Sequence, residues 1–350
     1  YGLPYHQDET VYTMEEGIVR DDKLFIYRTW FPYYLQASSL FLFGKTTFAA
    51  RLPFALSGVL SAIALYFFTL KLTKKKSTAF LATLFLASSV PALIYFRTAR
   101  YIGLPILLTI LLLYCYITIY EKKHWNPWPL TLVSIIYFHT MYVAFAGVIL
   151  GVIIHFYINR KSTTKNNYKY AAQAAVVTAI FTLPWLWFNF AIFEKVSEFY
   201  LSANDQIDTT NWRFLKHLAG FLFQLNNYTF PLILLPLLLV KSLRPYRTEI
   251  QLCLFCTAGL IFVSLLHTIP LQQYIAGSFP LWCILLALLI IEGFRSSTIR
   301  YAITATLVLT NLIHIGPLLS VKEVLSANPQ WLNKNSYMMD ISKSFTREIK

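Results

Sequence analysis

Long apolar runs, separated by short segments that hold most of the charge, constrain this chain more than any other feature. About ten are legible: 48–70, 77–96, 101–120, 128–139, 141–158, 171–193, 228–240, 250–266, 274–291 and 301–319. A helix needs about 20 apolar residues to cross roughly 30 Å of hydrocarbon, and most of these runs reach or approach that length. Inside lipid every backbone polar group needs an internal partner, which leaves helices or a closed barrel. A barrel demands period-two alternation, and a stretch such as Leu107-Leu108-Thr109-Ile110-Leu111-Leu112-Leu113 has none. The expected fold is therefore all-α and polytopic, with about ten transmembrane helices. Composition agrees: 57% of residues are hydrophobic and 13% charged, about half the charged share of a soluble chain. Four Cys in 350 residues exclude a disulfide-stapled scaffold.

The net charge of +14 invites a nucleic-acid reading until the charges are sorted by loop. Run 128–158 decides the sorting, because it is either one long helix or two short ones meeting near His139-Thr140. With two helices, every second loop is basic: Lys71 to Lys76, Lys122-Lys123, Arg160 to Lys169, Lys241 to Arg247, and Arg295 to Arg300. These segments hold 15 of the 30 Lys and Arg but only three of the 16 acids, Glu121, Glu249 and Glu292. With one helix, the last three basic clusters fall on the wrong face. The positive-inside rule therefore selects two. The excess charge is a topology signal, and no nucleic-acid partner is expected.

The opposite, extracytoplasmic face carries the larger polar segments. Residues 1–47 read as a first outer loop with an interfacial helix, and 48–319 as the transmembrane domain with an outer loop at 194–227. Residues 320–350 read as an outer tail or the start of a soluble domain. The parity places Tyr1 outside, so a further transmembrane helix is expected upstream of it. Cys253 and Cys256 form C-x-x-C in mid-span, where they read as packing residues.

Candidate chemistry lies on the outer face. The first loop contains Tyr5-His6-Gln7-Asp8-Glu9-Thr10. Arg28 then precedes an aromatic-rich segment, 29–44, that suits a helix lying in the interface and ends in Leu42-Phe43-Gly44. Phe48-Ala49-Ala50-Arg51-Leu52-Pro53, Arg97-Thr98-Ala99-Arg100-Tyr101, Phe138-His139-Thr140-Met141-Tyr142, Leu183-Pro184-Trp185-Leu186 and Gln273-Tyr274-Ile275 with Pro280 follow in order. This order resembles the GT-C glycosyltransferases that use polyprenyl-phosphate sugars, nearest to the protein O-mannosyltransferase-like enzymes and the lipid A aminoarabinose transferase. There are departures: Gln273 stands where many relatives have a base, Tyr101 where some have Asp, and Thr29-Trp30 where Pro-Pro is frequent.

The resemblance implies a GT-C fold and an inner-membrane enzyme with its active site outside. Its partners would be a polyprenyl-phosphate-linked sugar donor, membrane lipids, and a lipid, glycan or protein acceptor. A phosphate monoester is already a good leaving group, so the protein must supply a base for the acceptor hydroxyl and cations for the departing phosphate. By the resemblance Asp8 is the base. Glu9 either orients the acceptor or is a solvated charge. Arg28 and Arg100 would hold the donor phosphate, for which a guanidinium fork is suited. Tyr101 and Tyr274 either hydrogen-bond the same phosphate or belong to the interfacial aromatic belt. Some relatives use divalent ions, but Mg²⁺ or Mn²⁺ prefers oxygen ligands. His139 therefore reads rather as satisfying the helix break; no cofactor is assigned, with a divalent cation, Mg²⁺ or Mn²⁺, as the minor alternative given His6, His139, His267 and His314 on the outer side. The alternatives are a non-catalytic GT-C-like subunit that binds lipid or scaffolds a complex and, less favoured for want of charges within the spans, a transporter.

Overall fold

The computed structural model describes residues 29–121, 126–160, 165–203, 213–228, 230–267 and 272–312. Asp8, Glu9 and Arg28 lie outside the described residues. Among those described the chain is helical throughout. An opening helix, α1 (Phe31–Phe43), turns at Gly44 into α2 (Thr47–Thr73), whose first turn is capped by Thr46 Oγ1 accepting from the Ala49 amide at 3.1 Å. The run read as one span at 77–96 is two helices, α3 (Lys76–Ser88) and α4 (Val90–Arg97), bent by 62°. Pro91 explains the break, since its ring clashes with the carbonyl four residues back. A 3-10 turn, Tyr101–Gly103, leads into α5 (Leu104–Glu121).

Run 128–158 is two helices, α6 (Trp128–Phe138) and α7 (Tyr142–Ile158), broken at His139 to Met141 as the loop charges require. There follow α8 (Lys165–Ala203), α9 (Arg213–Tyr228), α10 (Arg247–Leu266), α11 (Phe279–Gly293) and α12 (Ser297–Leu312). Among the described residues five helical stretches are long and apolar enough to cross a membrane, or six when the bent pair is one span. α6, α7 and the apolar part of α12 are shorter. The count of about ten is thus not reproduced as ten long spans, but the molecule is an integral membrane protein. The segment read as a loop at 194–227 is helical where described, shared between the end of α8 and α9.

From Leu232 onward the run at 228–240 is not α-helical. Pro231 and Pro236 interrupt it, Pro245 follows, and the chain winds instead as two 3-10 helices, Leu232–Leu239 and Lys241–Tyr246. At ~2.0 Å rise per residue this segment reaches roughly 30 Å, against roughly 22 Å for the same residues as an α-helix. Its start is tied down by Asn226 Oδ1, which accepts from the Leu232 amide at 2.9 Å, and by the Phe230 ring against Trp282 at 4.9 Å.

The core is built around α11, where every side chain from Phe279 to Ile290 is buried, and α5, buried over most of its length. Helices apolar all round belong in such central positions. The tightest packing is between α7 and α10. A Cβ on Gly147 would lie 2.6 Å from the Leu260 Cα, one on Gly151 2.4 Å from the Cys256 Cα, and one on Gly259 2.2 Å from the Gly147 carbonyl oxygen. Only glycine permits these backbones to touch, the small-residue device by which helices associate in lipid. Cys253 and Cys256 pack into the same buried region.

Contacts sort the helix ends into two groups. At one end Lys75 pairs with Glu292 at 2.6 Å, and that hydrogen bond holds the Lys75 ammonium above its ordinary pKa. Lys75 also lies over the Tyr246 ring at 5.7 Å, while Lys71 donates to Thr118 Oγ1. His155 Nε2 donates to the Thr248 carbonyl at 3.2 Å and its Nδ1 faces the Tyr116 hydroxyl at 2.7 Å, joining α5, α7 and α10. This is the basic end. Residues 29–31, 138–142, 181–185, 98–101 and 267–278 gather at the other.

Candidate functional site

Two clusters at the end opposite the basic loops bring separate motifs together. The first forms around the α6–α7 break. His139 ends α6 with its amide on the Ile135 carbonyl at 3.0 Å, and its own carbonyl accepts from the Phe31 amide at 3.1 Å. Thr29 Oγ1 donates to the next carbonyl, that of Thr140, at 2.8 Å, and this bond is buried. The imidazole Nε2 donates to the Phe181 carbonyl of α8 at 3.1 Å. Trp30 lies along the imidazole, ring centroids 5.0 Å apart, and Trp185 meets Phe138, His139 and Tyr142 at 5.6, 6.3 and 5.5 Å. His139 is only 4% exposed, and its Nδ1 has no hydrogen-bond partner. The imidazole thus does not cap the break between α6 and α7, as the sequence reading expects, but ties it to α8, while Phe31 and Thr29 satisfy the carbonyls that the break frees.

The second cluster joins Arg97-Thr98-Ala99-Arg100-Tyr101 to the 3-10 turn Gln272–Ser278. Arg100 sits in extended backbone immediately before the Tyr101–Gly103 turn, half-buried, while Arg97 at the end of α4 is exposed. Gln273 Nε2 donates to the Tyr101 hydroxyl at 3.4 Å. Tyr274, half-buried, sets its ring 5.0 Å from that of His267. The turn is anchored from beneath by Ser278 Oγ on the Ile275 carbonyl at 2.7 Å, and Tyr95 stacks on Phe279 at 6.0 Å. Arg100, Tyr101 and Tyr274, distant in sequence, therefore stand on contacting segments. Gln273, the departure from the usual base, fills its place with a neutral hydrogen bond to the other departure, Tyr101.

From the first cluster α1 leads to α2. Ser39 Oγ on its inner side donates to the Ala49 carbonyl of α2 at 2.6 Å, and its outward side leaves Tyr34, Phe41 and Leu42 exposed. Phe31 and Leu35 of the same helix pack against the core, so α1 is held on one side while large apolar side chains remain exposed on the other, as suits a helix lying at a lipid interface. Gly44, closing the Leu-Phe-Gly motif, has φ of +81° and ψ of 168°, a conformation that only glycine adopts readily. Among the described residues no three His, Cys, Asp or Glu come together as a metal-ligand set.

This architecture has known counterparts. A crystal structure of ArnT from Cupriavidus metallidurans bound to undecaprenyl phosphate superposes over 84% of this chain with a TM-score of 0.57 at 16% identity. The apo form of that protein gives 0.53 and 14% over the same share. The chain has the GT-C glycosyltransferase fold. Residues 28–188 also match the family described as dolichyl-phosphate-mannose-protein mannosyltransferase. The matched stretch begins at Arg28 and contains both sides of the His139 junction. No curated protein sequence matches the chain. The GT-C chain spans 55% of the length of either ArnT structure.

Sequence reasoning missed the junction's aromatic side. Trp30 was noted only as a replacement for Pro, yet it forms the ring contact with His139.

Proposed function

We propose that this GT-C protein transfers a sugar from a polyprenyl-phosphate donor to an acceptor outside the cytoplasm, working at the outer face of the inner membrane. The observation that carries the reading is the convergence of the ordered motifs at one end of the bundle, opposite the basic loops, within the GT-C fold. Beyond the cytoplasm a transferase needs a donor carried by the membrane, and the undecaprenyl phosphate held by ArnT is what such a donor leaves behind.

The chemistry follows from the charges involved. Asp8, assigned by resemblance, takes the proton from the acceptor hydroxyl as its oxygen attacks the anomeric carbon. The bond from that carbon to the phosphate oxygen breaks, the anomeric centre inverts, and the polyprenyl phosphate leaves with one more negative charge. Arg28 and Arg100 stabilise that charge where it develops. Tyr101 and Tyr274 add hydroxyl donors to it, and Glu9 orients the acceptor. No general acid is needed. In support, Arg100, Tyr101 and Tyr274 stand on neighbouring segments.

The test is transfer from polyprenyl-phosphate sugars of a bacterial lipid extract, followed by release of polyprenyl phosphate. Asp8→Asn, inserted and folded like the wild type, should lose about 10²- to 10⁴-fold in rate, the usual worth of a positioned base. An unchanged rate would refute the role of Asp8. Lipid binding without turnover in the wild type would favour the non-catalytic subunit instead.

A further inference from the structure

The 3-10 turn Gln272–Ser278 runs from the candidate site into the core. Tyr274 is half-buried, and the residues that follow it, Ile275 to Ser278, are fully enclosed. At its deep end Gly277 rests on a pair of hydroxyls. A Cβ there would lie 2.5 Å from Thr109 Oγ1 of α5 and 3.0 Å from the Tyr137 hydroxyl of α6. Those two oxygens share a hydrogen bond of 2.8 Å, and both side chains are completely buried. The turn therefore meets α5 and α6 where their side chains bond to each other.

Two details set this pair apart from ordinary packing. Elsewhere Thr118, Thr131 and Thr182 donate to the carbonyl four residues back, the usual place for a hydroxyl on an apolar helix. Thr109 instead reaches sideways to another helix. Tyr137, for its part, closes the α6–α7 break with its carbonyl, which accepts from the Thr140 and Met141 amides at 3.1 and 2.9 Å. One residue thus joins the two clusters: its backbone holds the His139 junction and its hydroxyl supports the Gln272–Ser278 turn.

We propose that the Thr109–Tyr137 pair is a seat that sets the depth of Tyr274 in the donor site, with Gly277 as the contact that locks the turn to it. The inference rests on the reading of Tyr274 as a donor-phosphate ligand. With three residues per 3-10 turn, Tyr274 and Gly277 lie on the same side, about 6 Å apart along the axis. A displacement at Gly277 is therefore passed to Tyr274. A phenol donates to a phosphate oxygen only over a narrow range of distance and angle. Because both supporting hydroxyls belong to fully buried side chains, a methyl added at 277 moves the turn rather than its seat.

The probe is undecaprenyl phosphate, titrated against the full chain in nanodiscs, with thermal unfolding measured in parallel. Tyr274→Phe should weaken binding roughly tenfold, the scale of one hydrogen bond to a charged group. Gly277→Ala should weaken it several-fold by moving the same hydroxyl. Thr109→Ala combined with Tyr137→Phe removes both oxygens together, which leaves no unpaired group and keeps stability near the wild type. This paired variant should still weaken binding several-fold, an effect that a purely structural hydrogen bond would not produce. Adding Gly277→Ala to the pair puts a methyl into the vacated space and should restore binding. Should Gly277→Ala alone fail to fold, the paired and triple variants carry the same comparison. In the Tyr274→Phe background neither Gly277→Ala nor the paired variant should weaken binding further. Equal weakening in both backgrounds overturns the seat, as does a triple variant that binds no better than the pair. Wild-type binding by Tyr274→Phe overturns the reading of Tyr274 and the seat with it. A loss with Tyr274→Phe and none with the paired variant overturns the seat alone.

Discussion

At the residue scale, Gly44 shows how a short motif acquires a physical meaning. The Leu-Phe-Gly sequence ends α1 because its last residue takes φ of +81° with extended ψ, and the chain then enters α2 through the Thr46 cap. A Cβ at position 44 meets no neighbouring atom, so crowding is not the reason for glycine. The conformation is. Gly44→Ala should therefore cost about 1–3 kcal/mol of stability through backbone strain alone. Thermal unfolding of the purified protein checks this, and an unchanged midpoint would mean the turn has an unstrained alternative. The candidate residues are legible at this scale only in part. Arg100, Tyr101 and Tyr274 are readable as a group because they stand in ordered motifs, and the structure sets them on contacting segments. The contact between Trp30 and His139 was not readable. Nothing in a tryptophan's own neighbourhood announces a ring more than a hundred residues away.

At the element scale the seam between α7 and α10 makes the sharpest demand. Gly147, Gly151 and Gly259 let two backbones meet at distances no side chain survives, and the clashing atoms are themselves backbone. Gly259→Ala should destabilise the fold by about 1–3 kcal/mol or more, since neither helix can yield without moving whole. Gly220→Ala on α9, where a Cβ meets nothing, is the matched control and should leave stability unchanged or raised. Equal effects from the two variants would show that the seam is not tightly packed.

The elements also divide into those the sequence reveals and those it hides. The α6–α7 break is legible because loop charges count helices by parity, independently of hydropathy. The 3-10 crossing at 232–246 is hidden because an apolar run looks the same whichever way it winds. Pro236 and Pro245 within it, with Pro231 just before it, were the available cue, since each forbids the α-helical bond at its own position. The bend between α3 and α4 was hidden likewise behind one continuous apolar run, with Pro91 as the unread sign.

At the scale of the whole molecule, the +14 net charge turns out to be a statement about orientation. The basic segments meet at one end, tied by Lys75 to Glu292 and Tyr246, and the motifs of the candidate site meet at the other. A buried core of α5 and α11 separates the two ends. This polarity suits a transferase whose donor arrives within the membrane and whose acceptor arrives from outside. Mass spectrometry of lipid that co-purifies with the detergent-solubilised protein tests this central claim most directly. A polyprenyl phosphate, free or carrying a sugar, enriched over the surrounding membrane and lost in Arg28→Ala or Arg100→Ala, is the expected result. Recovery of bulk phospholipid alone, in the same proportions from the wild type and both variants, would contradict it.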